Sequence, residues 1–572
     1  MTETITKSLR ESPTARWFAL ILVSSTMFFA YMFVDVLSPL KDLLESKRGW
    51  SSENFGTVGG SEFVLNVFVF FLIFAGIILD KIGVRRTALL SSSLMVLGAS
   101  IKMYGVSDAF SSDLALYKAF DGFSLFGLID PLPASAVMAC IGFMIFGCGV
   151  EMAGITVSKA IVKWFKGKEL ALAMGLEMAI ARLGVFAIFR LSPYLSDGQY
   201  ITLPVAVCTL LLLIGFLTFL IYFFLDRKLD QQENIELAPE DEFKISDLKA
   251  IFTSKTFLIV AGLCVLYYSA IFPFQKFASD MLSSRLEITA KDASALFSFF
   301  PLGAMILTPL LGFFLDTRGK GATMLIVGAV LMMTCHLIFA LTPVAVFTYP
   351  VAICAIIVLG VSFSLVPAAL WPSVPKLVDN KVLGSAYAVI FWIQNIGLLS
   401  VPIIIGATLD RTNEGVGKNQ TEIKAGIDNI KKHTDILFED AQKLDSLRLI
   451  TSDIFIGKTI QKNKEVKENL DELTLVYRNK EKRHIVVDKL KEQVSLYSEL
   501  NSPYSNAAIT DINFNLNKID NIEGGSIYNY RIPMLIFALF GVMAFVLGFW
   551  LKIEDRKKGY GLELPNKKSK LM

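Results

Sequence analysis

Apolar runs long enough to cross a membrane recur from one end of this chain to the other, and nothing else in it restricts the fold as strongly. A helix of about 20 apolar residues crosses a hydrocarbon layer of roughly 30 Å. Inside such a layer the backbone polar groups must bond within the segment, which favours helices. Twelve spans are read, at 17–40, 55–79, 87–104, 133–162, 170–192, 203–225, 256–279, 293–315, 322–342, 346–370, 383–408 and 531–551. With 53% hydrophobic residues and 45 Phe in 572, the chain is too apolar for a soluble protein of this length. The expectation is an all-α membrane protein. The first run is too long, and lacks the small-residue cleavage site, for a removable signal peptide.

The net charge of +3 gives no reason to expect nucleic acid. Its placement is more informative. Lys81, Arg85 and Arg86, then Lys163, Lys166 and Lys168, then Arg318 and Lys320, then Lys376 and Lys381 all fall in short turns on one side of the twelve-span arrangement. The basic tail at Arg556, Lys557 and Lys558 falls there too. Positive charge marks the cytoplasmic side, so both termini are expected inside. The six cysteines lie in predicted spans without metal-site or disulfide spacing, and read as small core residues.

Two stretches repeat one pattern: Gly76-Ile-Ile-Leu-Asp80-Lys-Ile-Gly83 and Gly312-Phe-Phe-Leu-Asp316-Thr-Arg-Gly319. Each follows an apolar run and has basic residues close by, Arg85 and Arg86 in the first copy and Arg318 in the second. An internal repeat with a charged turn at matching places points to alternating access. The glycines are expected to allow close helix contact, and the aspartates to pair across the bundle as a latch.

The chain divides into a six-span half (1–225), a polar linker (226–255) with the acidic run Glu240-Asp241-Glu242, spans seven to eleven (256–411), an insert (412–530), span twelve (531–551) and a basic tail (552–572). The insert carries 17 Lys and Arg and 19 Asp and Glu, so it belongs in water. Ile423, Ile427, Ile430, Leu437, Ala441 and Leu444 recur at heptad spacing, as do Val466, Leu470, Leu473, Tyr477, Leu490, Val494 and Tyr497. Two or more packed helices are expected there, outside the cytoplasm. Thr434, Arg448 and His484 interrupt the seam.

Charges within spans mark functional positions by default. They are Asp35, Glu62, Glu151, Glu177, Arg182, Arg190 and Lys276. Glu151 lies in Gly147-Cys-Gly-Val-Glu151, where two glycines narrow the helix. The short turn Trp164–Glu169 makes spans four and five antiparallel neighbours, with Glu151 and Arg182 at similar depth, about 20 Å from it. The two form either a structural ion pair or a site for a ligand carrying both charges, and the spacing alone is compatible with both. Asp35 and Glu62 sit nearer the outer ends and read as rim or gate positions. His336 reads as a packed histidine. Tyr267, Tyr268, Phe272, Trp371 and Trp392 are candidates to line a pocket, and Pro273, Pro367 and Pro372 to break spans seven and ten. No nucleotide loop, metal cluster or nucleophile–base arrangement is present, so neither an enzyme nor a cofactor is expected.

The repeated turns resemble the cytoplasmic loop motif of the major facilitator superfamily, with Val84 where a basic residue is usual. A closer resemblance, to lysosomal dipeptide uniporters and their bacterial relatives, runs through Gly149-Val-Glu151, Trp164–Leu170, Ala181-Arg182-Leu-Gly184, Tyr267–Phe274, Ala369-Leu-Trp-Pro372, Leu383–Tyr387 and Ile393-Gln394-Asn-Ile-Gly397, with an echo at Tyr31–Asp35. It implies passive dipeptide transport, with Glu151 and Arg182 on the charged termini of the peptide. The further substrate contacts expected are Tyr267, Phe272, Trp371 and Gln394, and the motif or gate positions are Gly76, Asp80, Gly83, Arg85, Arg86, Asp316, Arg318 and Asp35. The family's lysosomal form works with a separate glycosylated protein on its lumenal face. The insert, absent from that form, is expected to shield or brace the same face in cis, and an accessory protein there is the further partner to look for. No acidic dileucine sorting signal is read in the N-terminal stretch, so a bacterial inner membrane is the first expectation and a lysosomal one the second. A monomer in the lipid bilayer is expected. The alternatives left open are a proton-coupled carrier of another organic anion or amino acid, and a non-transporting sensor that uses the insert.

Overall fold

In the computed structural model, residues 8–124, 127, 129–165, 168–232, 251–378, 383–446, 453–495, 497 and 503–565 are described. The acidic part of the linker, Lys166, Lys381 and Arg448 lie outside them, as do the side chains of Ala441 and Leu444. The described chain is helical apart from one isolated bridge between Phe123 and Leu132. Among the described residues, eleven helices are long and apolar enough to cross a membrane.

The first bundle contains α1 (Pro13–Val34), its outer extension α2 (Lys41–Arg48), α3 (Ser52–Ser61), α4 (Val64–Phe68), α5 (Phe71–Val106), α6 (Ala134–Phe165), α7 (Leu170–Ser196) and α8 (Thr202–Gln232). The second contains α9 (Lys255–Leu286), α10 (Ala290–Phe297), α11 (Phe299–Arg318), α12 (Gly321–Leu341), α13 (Tyr349–Leu370) and α14 (Leu383–Thr412). The insert is four helices, α15 (Val416–Ser446), α16 (Asp453–Val476), α17 (Lys480–Ser495) and α18 (Pro503–Asp520), and α19 (Arg531–Lys558) returns to the second bundle.

The count differs from twelve because the span expected at 55–79 is divided and its second part is joined to the next span in α5, across the non-helical turn at Gly83. The divided span leaves the helix after Ser61 and again at Val69–Phe70, where Phe70 takes the left-handed conformation with φ 56°. Its orphaned Val67 carbonyl is not stranded, because Trp392 Nε1 of α14 donates to it at 2.9 Å and the Trp392 ring stacks on Phe70. The linker also begins later than 226. α8 continues to Gln232, and Asp226 is fully buried on it. Span seven stays one helix through Pro273, whereas span ten passes into a 3-10 turn at Trp371–Ser373.

One apolar core runs through both bundles, and a second, separate core lies inside the insert. Every described side chain of the heptad seam is buried in that second core. Large apolar groups such as Leu210, Phe224, Leu310, Phe313, Leu539 and Phe549 face outward instead. In water that would be costly, but against lipid tails it is the stable arrangement.

The ends of the molecule differ. At the turn end, each bundle closes on itself. Gly83 (φ 79°, ψ 163°) and Gly319 (φ 71°, ψ −139°) adopt backbone angles that a side chain would strain. Asp80 pairs with Lys159 of its own bundle at 2.5 Å, and Arg85 with Asp230 at 3.1 Å. Lys163, Trp164 Nε1 and the Tyr222 hydroxyl converge on Asp226 at 2.7, 2.9 and 3.1 Å. Under the second turn, the backbone N–H groups of Lys320 and Gly321 donate to the carbonyls of Glu563 and Leu562 in the tail. Arg86 and Arg318 are exposed. Among the described residues nothing lies within 4 Å of where a Cβ would stand at Gly76 or Gly312, so the close helix contact expected there is not seen. Asp316 has Lys376 as an electrostatic neighbour in its own bundle.

The contacts that join the bundles run from mid-depth to the insert end. α3 packs on α14 through Gly56, Gly60 and Gly406, and α7 meets α10 and α11. Arg190 Nε donates to Ser298 Oγ at 2.9 Å. Asp35, buried at the end of α1, pairs with Lys276 of α9 at 2.9 Å and accepts from Gln275 Nε2 at 2.5 Å.

Candidate functional site

Arg182 lies at mid-depth on α7, half-buried, on the boundary between the bundles. Its guanidinium lies over the rings of Phe363 at 4.8 Å, Phe272 at 5.4 Å and Tyr31 at 5.9 Å. Two of these rings belong to the second bundle and one to the first. Aromatic faces attract a cation without neutralising it. Among the described residues, Arg182 has neither an ion pair nor a side-chain hydrogen bond.

Glu151 is half-buried on α6 and is likewise unpaired among the described residues. It is not the direct partner of Arg182. α6 and α7 diverge from their short turn and touch only sparingly, and α1 packs against both. The charges are therefore held apart, with Tyr31 having Arg182, Glu177, Glu151 and Glu62 as its electrostatic neighbours. Gly147 allows the approach that brings Glu62 alongside, since a Cβ there would stand 2.1 Å from the Glu62 carbonyl oxygen.

Glu62, at the break after α3, is buried, and its Oε2 has no hydrogen-bond partner among the described residues. Lys276, Asp35 and Lys102 are its charged neighbours. Lys102 of α5 is itself fully buried, with its ammonium 3.5 Å from the Phe143 ring centre. A polar track thus leads from Arg182 and Glu151, past Glu62, to the Asp35–Lys276 pair.

The expected aromatic contacts are partly corrected. Tyr267 is turned into the second bundle, where its hydroxyl donates to the Leu325 carbonyl. Tyr268, about 100° further round the helix, faces the site and stacks on Phe272 at 5.5 Å. Trp371 Nε1 donates to the Tyr268 hydroxyl at 3.1 Å, and its ring stacks on Phe391. Gln394 is buried and accepts from the Cys264 thiol at 3.3 Å, so it joins α14 to α9. His336 packs between Phe274 and Phe537. Phe363 and Lys102 were not expected. A lone lysine in the apolar run 87–104 was a readable signal; a phenylalanine among 45 was not.

Two helical bundles, joined at one end and parted at the other around unpaired charges at mid-depth, define a membrane carrier. The family model "Major Facilitator Superfamily" matches residues 23–402, and the chain belongs to that family of transporters. Among its curated relatives, the lysosomal dipeptide transporter MFSD1 of Danio rerio is 30% identical over 281 residues, 47% of this chain and 59% of that protein. The Bos taurus protein of the same name is 29% identical over 349 residues, covering 59% of this chain and 68% of its own. The match thus leaves some two fifths of the Danio rerio protein unspanned. A bacterial homologue of the human lysosomal transporter Spinster, solved inward-facing and occupied, superposes with a TM-score of 0.56 at 11% identity over 96% of this chain and 98% of its own. A D-xylose–proton symporter gives 0.51 at 12% identity over 70% and 91%. At such identities the structural likeness speaks for the fold alone.

Proposed function

We propose that this chain is an alternating-access uniporter for dipeptides or similar small zwitterions. The observation that supports this most is Arg182, a mid-depth guanidinium on rings from both bundles with no ion pair among the described residues and only the more distant Glu177 of its own helix as an electrostatic neighbour. A charge at that depth is costly unless something completes it. A peptide α-carboxylate offers two oxygens in the geometry a guanidinium binds best. Glu151, beyond Tyr31, takes the α-ammonium, and the separation of the two suits a ligand longer than a single ion pair. The dipeptide is suggested by the relatives named above.

Two ends of a ligand held by one bundle, against rings of the other, couple occupancy to rocking of the bundles. The turn end is taken as cytoplasmic because the basic turns gather there, so the insert lies outside. A bacterial inner membrane, or a lysosomal one in a eukaryotic cell, suits this orientation. A monomer suffices, since both bundles come from one chain. In this reading the structure represents the state open toward the turns. In the opposite state, Asp80 and Asp316 approach the other bundle and act as the latch.

Competition by end-blocked dipeptides tests the site. Acetylating the amine is expected to weaken binding to the wild type by roughly tenfold or more, the worth of a charged hydrogen bond, and to change little in Glu151→Gln. Amidating the carboxylate does the same to the wild type and little to Arg182→Gln. Equal sensitivity to both blocks in all three proteins would sink the assignment.

A second reading, proton-coupled transport of an organic anion or amino acid, is favoured by Glu62, whose buried Oε2 lacks a partner among the described residues beside Lys102 and Lys276. Uptake that requires an imposed pH gradient would select it.

A further inference from the structure

Arg478, at the turn between α16 and α17, is buried under the insert and faces two carboxylates at once. Its Nη2 is 3.3 Å from Asp42 of α2 and 3.6 Å from Asp280 of α9. Asp42 belongs to the first bundle and Asp280 to the second. Nη1 donates to Ser283 Oγ at 3.0 Å, and Nε donates to the Tyr477 hydroxyl at 3.1 Å.

The neighbouring groups repeat this bridging. Lys424 of α15 reaches Asp42 at 2.5 Å. Burial works against the charge on Lys424, but Asp42 more than restores it and holds the ammonium pKa above its ordinary value. The Tyr528 hydroxyl, just before α19, bonds to Glu45 of α2. The Tyr530 hydroxyl donates to Asp280 at 2.5 Å, while Lys41 of α2 lies 3.3 Å from the same carboxylate. Further out, Lys47 pairs with Asp428 at 3.0 Å and Lys482 with Glu287 at 2.9 Å.

The chain path makes these contacts state-dependent. The insert is threaded between α14 and α19, so covalently it is part of the second bundle. Each of its bonds to α2 is therefore a bond between bundles. When the face beneath the insert opens, α2 and α9 separate, and Arg478 cannot keep both carboxylates. Beside Arg478 lies a cleft of about 610 Å³, partly open to the outside and bordered by Pro39, Leu43, Tyr194, Ile288, Val476 and Lys482.

We propose that Arg478 is a gate residue of the transport cycle, supplied by the insert: it clasps the two bundles together in the state closed beneath the insert and must release one carboxylate for that face to open. A contact made in only one of two states shifts the balance between them by its full differential strength. This inference rests on the alternating-access reading and not on the dipeptide.

The test is a distance measured between spin labels at Ala109→Cys and Ala345→Cys, exposed positions at the insert end of the first and second bundles, in the full-length protein carrying Cys354→Ala. The wild type should show mainly the short distance. Arg478→Ala and Asp42→Asn should each raise the ratio of long to short by roughly tenfold, because each strands a buried partner. Combining them should add little beyond either alone. Arg478→Lys should fall between, and Lys464→Ala, an exposed pair within α16, should change nothing. Hydrogen exchange across α17 and α18 reports whether the insert stays folded. Wild-type distances in both Arg478→Ala and Asp42→Asn would overturn the clasp, as would a shift in Arg478→Ala seen only with loss of insert protection while Asp42→Asn is silent. If the distances shift but no dipeptide moves, the clasp stands and the substrate falls. If no variant or ligand ever produces a second distance, alternating access falls with it.

Discussion

Single residues in this fold divide into charges that are satisfied and charges that are waiting. Asp226 is of the first kind, with Lys163, Trp164, Tyr222 and the more distant Arg85 around one buried carboxylate. Asp226→Ala would take one of two anions from the buried Lys163 ammonium, leaving Asp230 at 2.6 Å, and would strip the Trp164 and Tyr222 donors of their acceptor. The expected loss is about 1–3 kcal/mol, the usual cost of leaving buried donors unsatisfied, read as a lowered thermal midpoint of the purified protein. An unchanged midpoint would mean that water or Asp230 takes over. Arg182 and Glu151 are of the second kind. Their residue types and depths were readable from the sequence, but their relation was not. Equal spacing from a turn fixes depth along two helices and says nothing of a third helix, here α1, packing against both. Tyr267 and Tyr268 show the same limit: adjacent aromatics in one apolar run differ only in azimuth, which the packing of the second bundle decides.

Elements were more legible where a period was present. The heptad spacing at Ile423–Leu437 and Val466–Tyr477 anticipated buried faces, because helices in water must hide one stripe. The division of the span at 55–79 had no such signal, since its cause is the distant Trp392 that satisfies the broken backbone. Within the insert, α17 and α18 are pinned by His484, whose Nδ1 lies 2.7 Å from Asp520. The hydrogen bond and charge of Asp520, with Asp488 adding to them, raise the imidazole pKa above its ordinary value. A group whose folded pKa is raised stabilises fully below its unfolded value of about 6.5. That contribution is lost as pH rises through the folded value. His484→Ala should therefore speed hydrogen exchange in α17 and α18 near pH 5.5 and have little effect near pH 9, where Lys491 still holds Asp520 at 3.0 Å. An effect of equal size at both would refute the linkage.

The whole molecule is held at one end and free at the other. Cross-bundle contacts at the Asp35–Lys276 pair, the α3–α14 seam and the insert all lie on the same side of Arg182, while Asp80 of the first repeated turn pairs within its own bundle. Membership of the superfamily was legible in those turns because they repeat at matching places in both halves. Which state the chain occupies was not, because one sequence must stabilise both. The central claim is that this scaffold carries dipeptides passively through the Arg182–Glu151 site. The most direct test is uptake of a labelled dipeptide into liposomes holding the purified protein, without any pH gradient, alongside Arg182→Ala and Glu151→Gln. The account predicts saturable uptake that both substitutions abolish. No uptake by protein shown to be folded, or uptake that survives both substitutions, would contradict it.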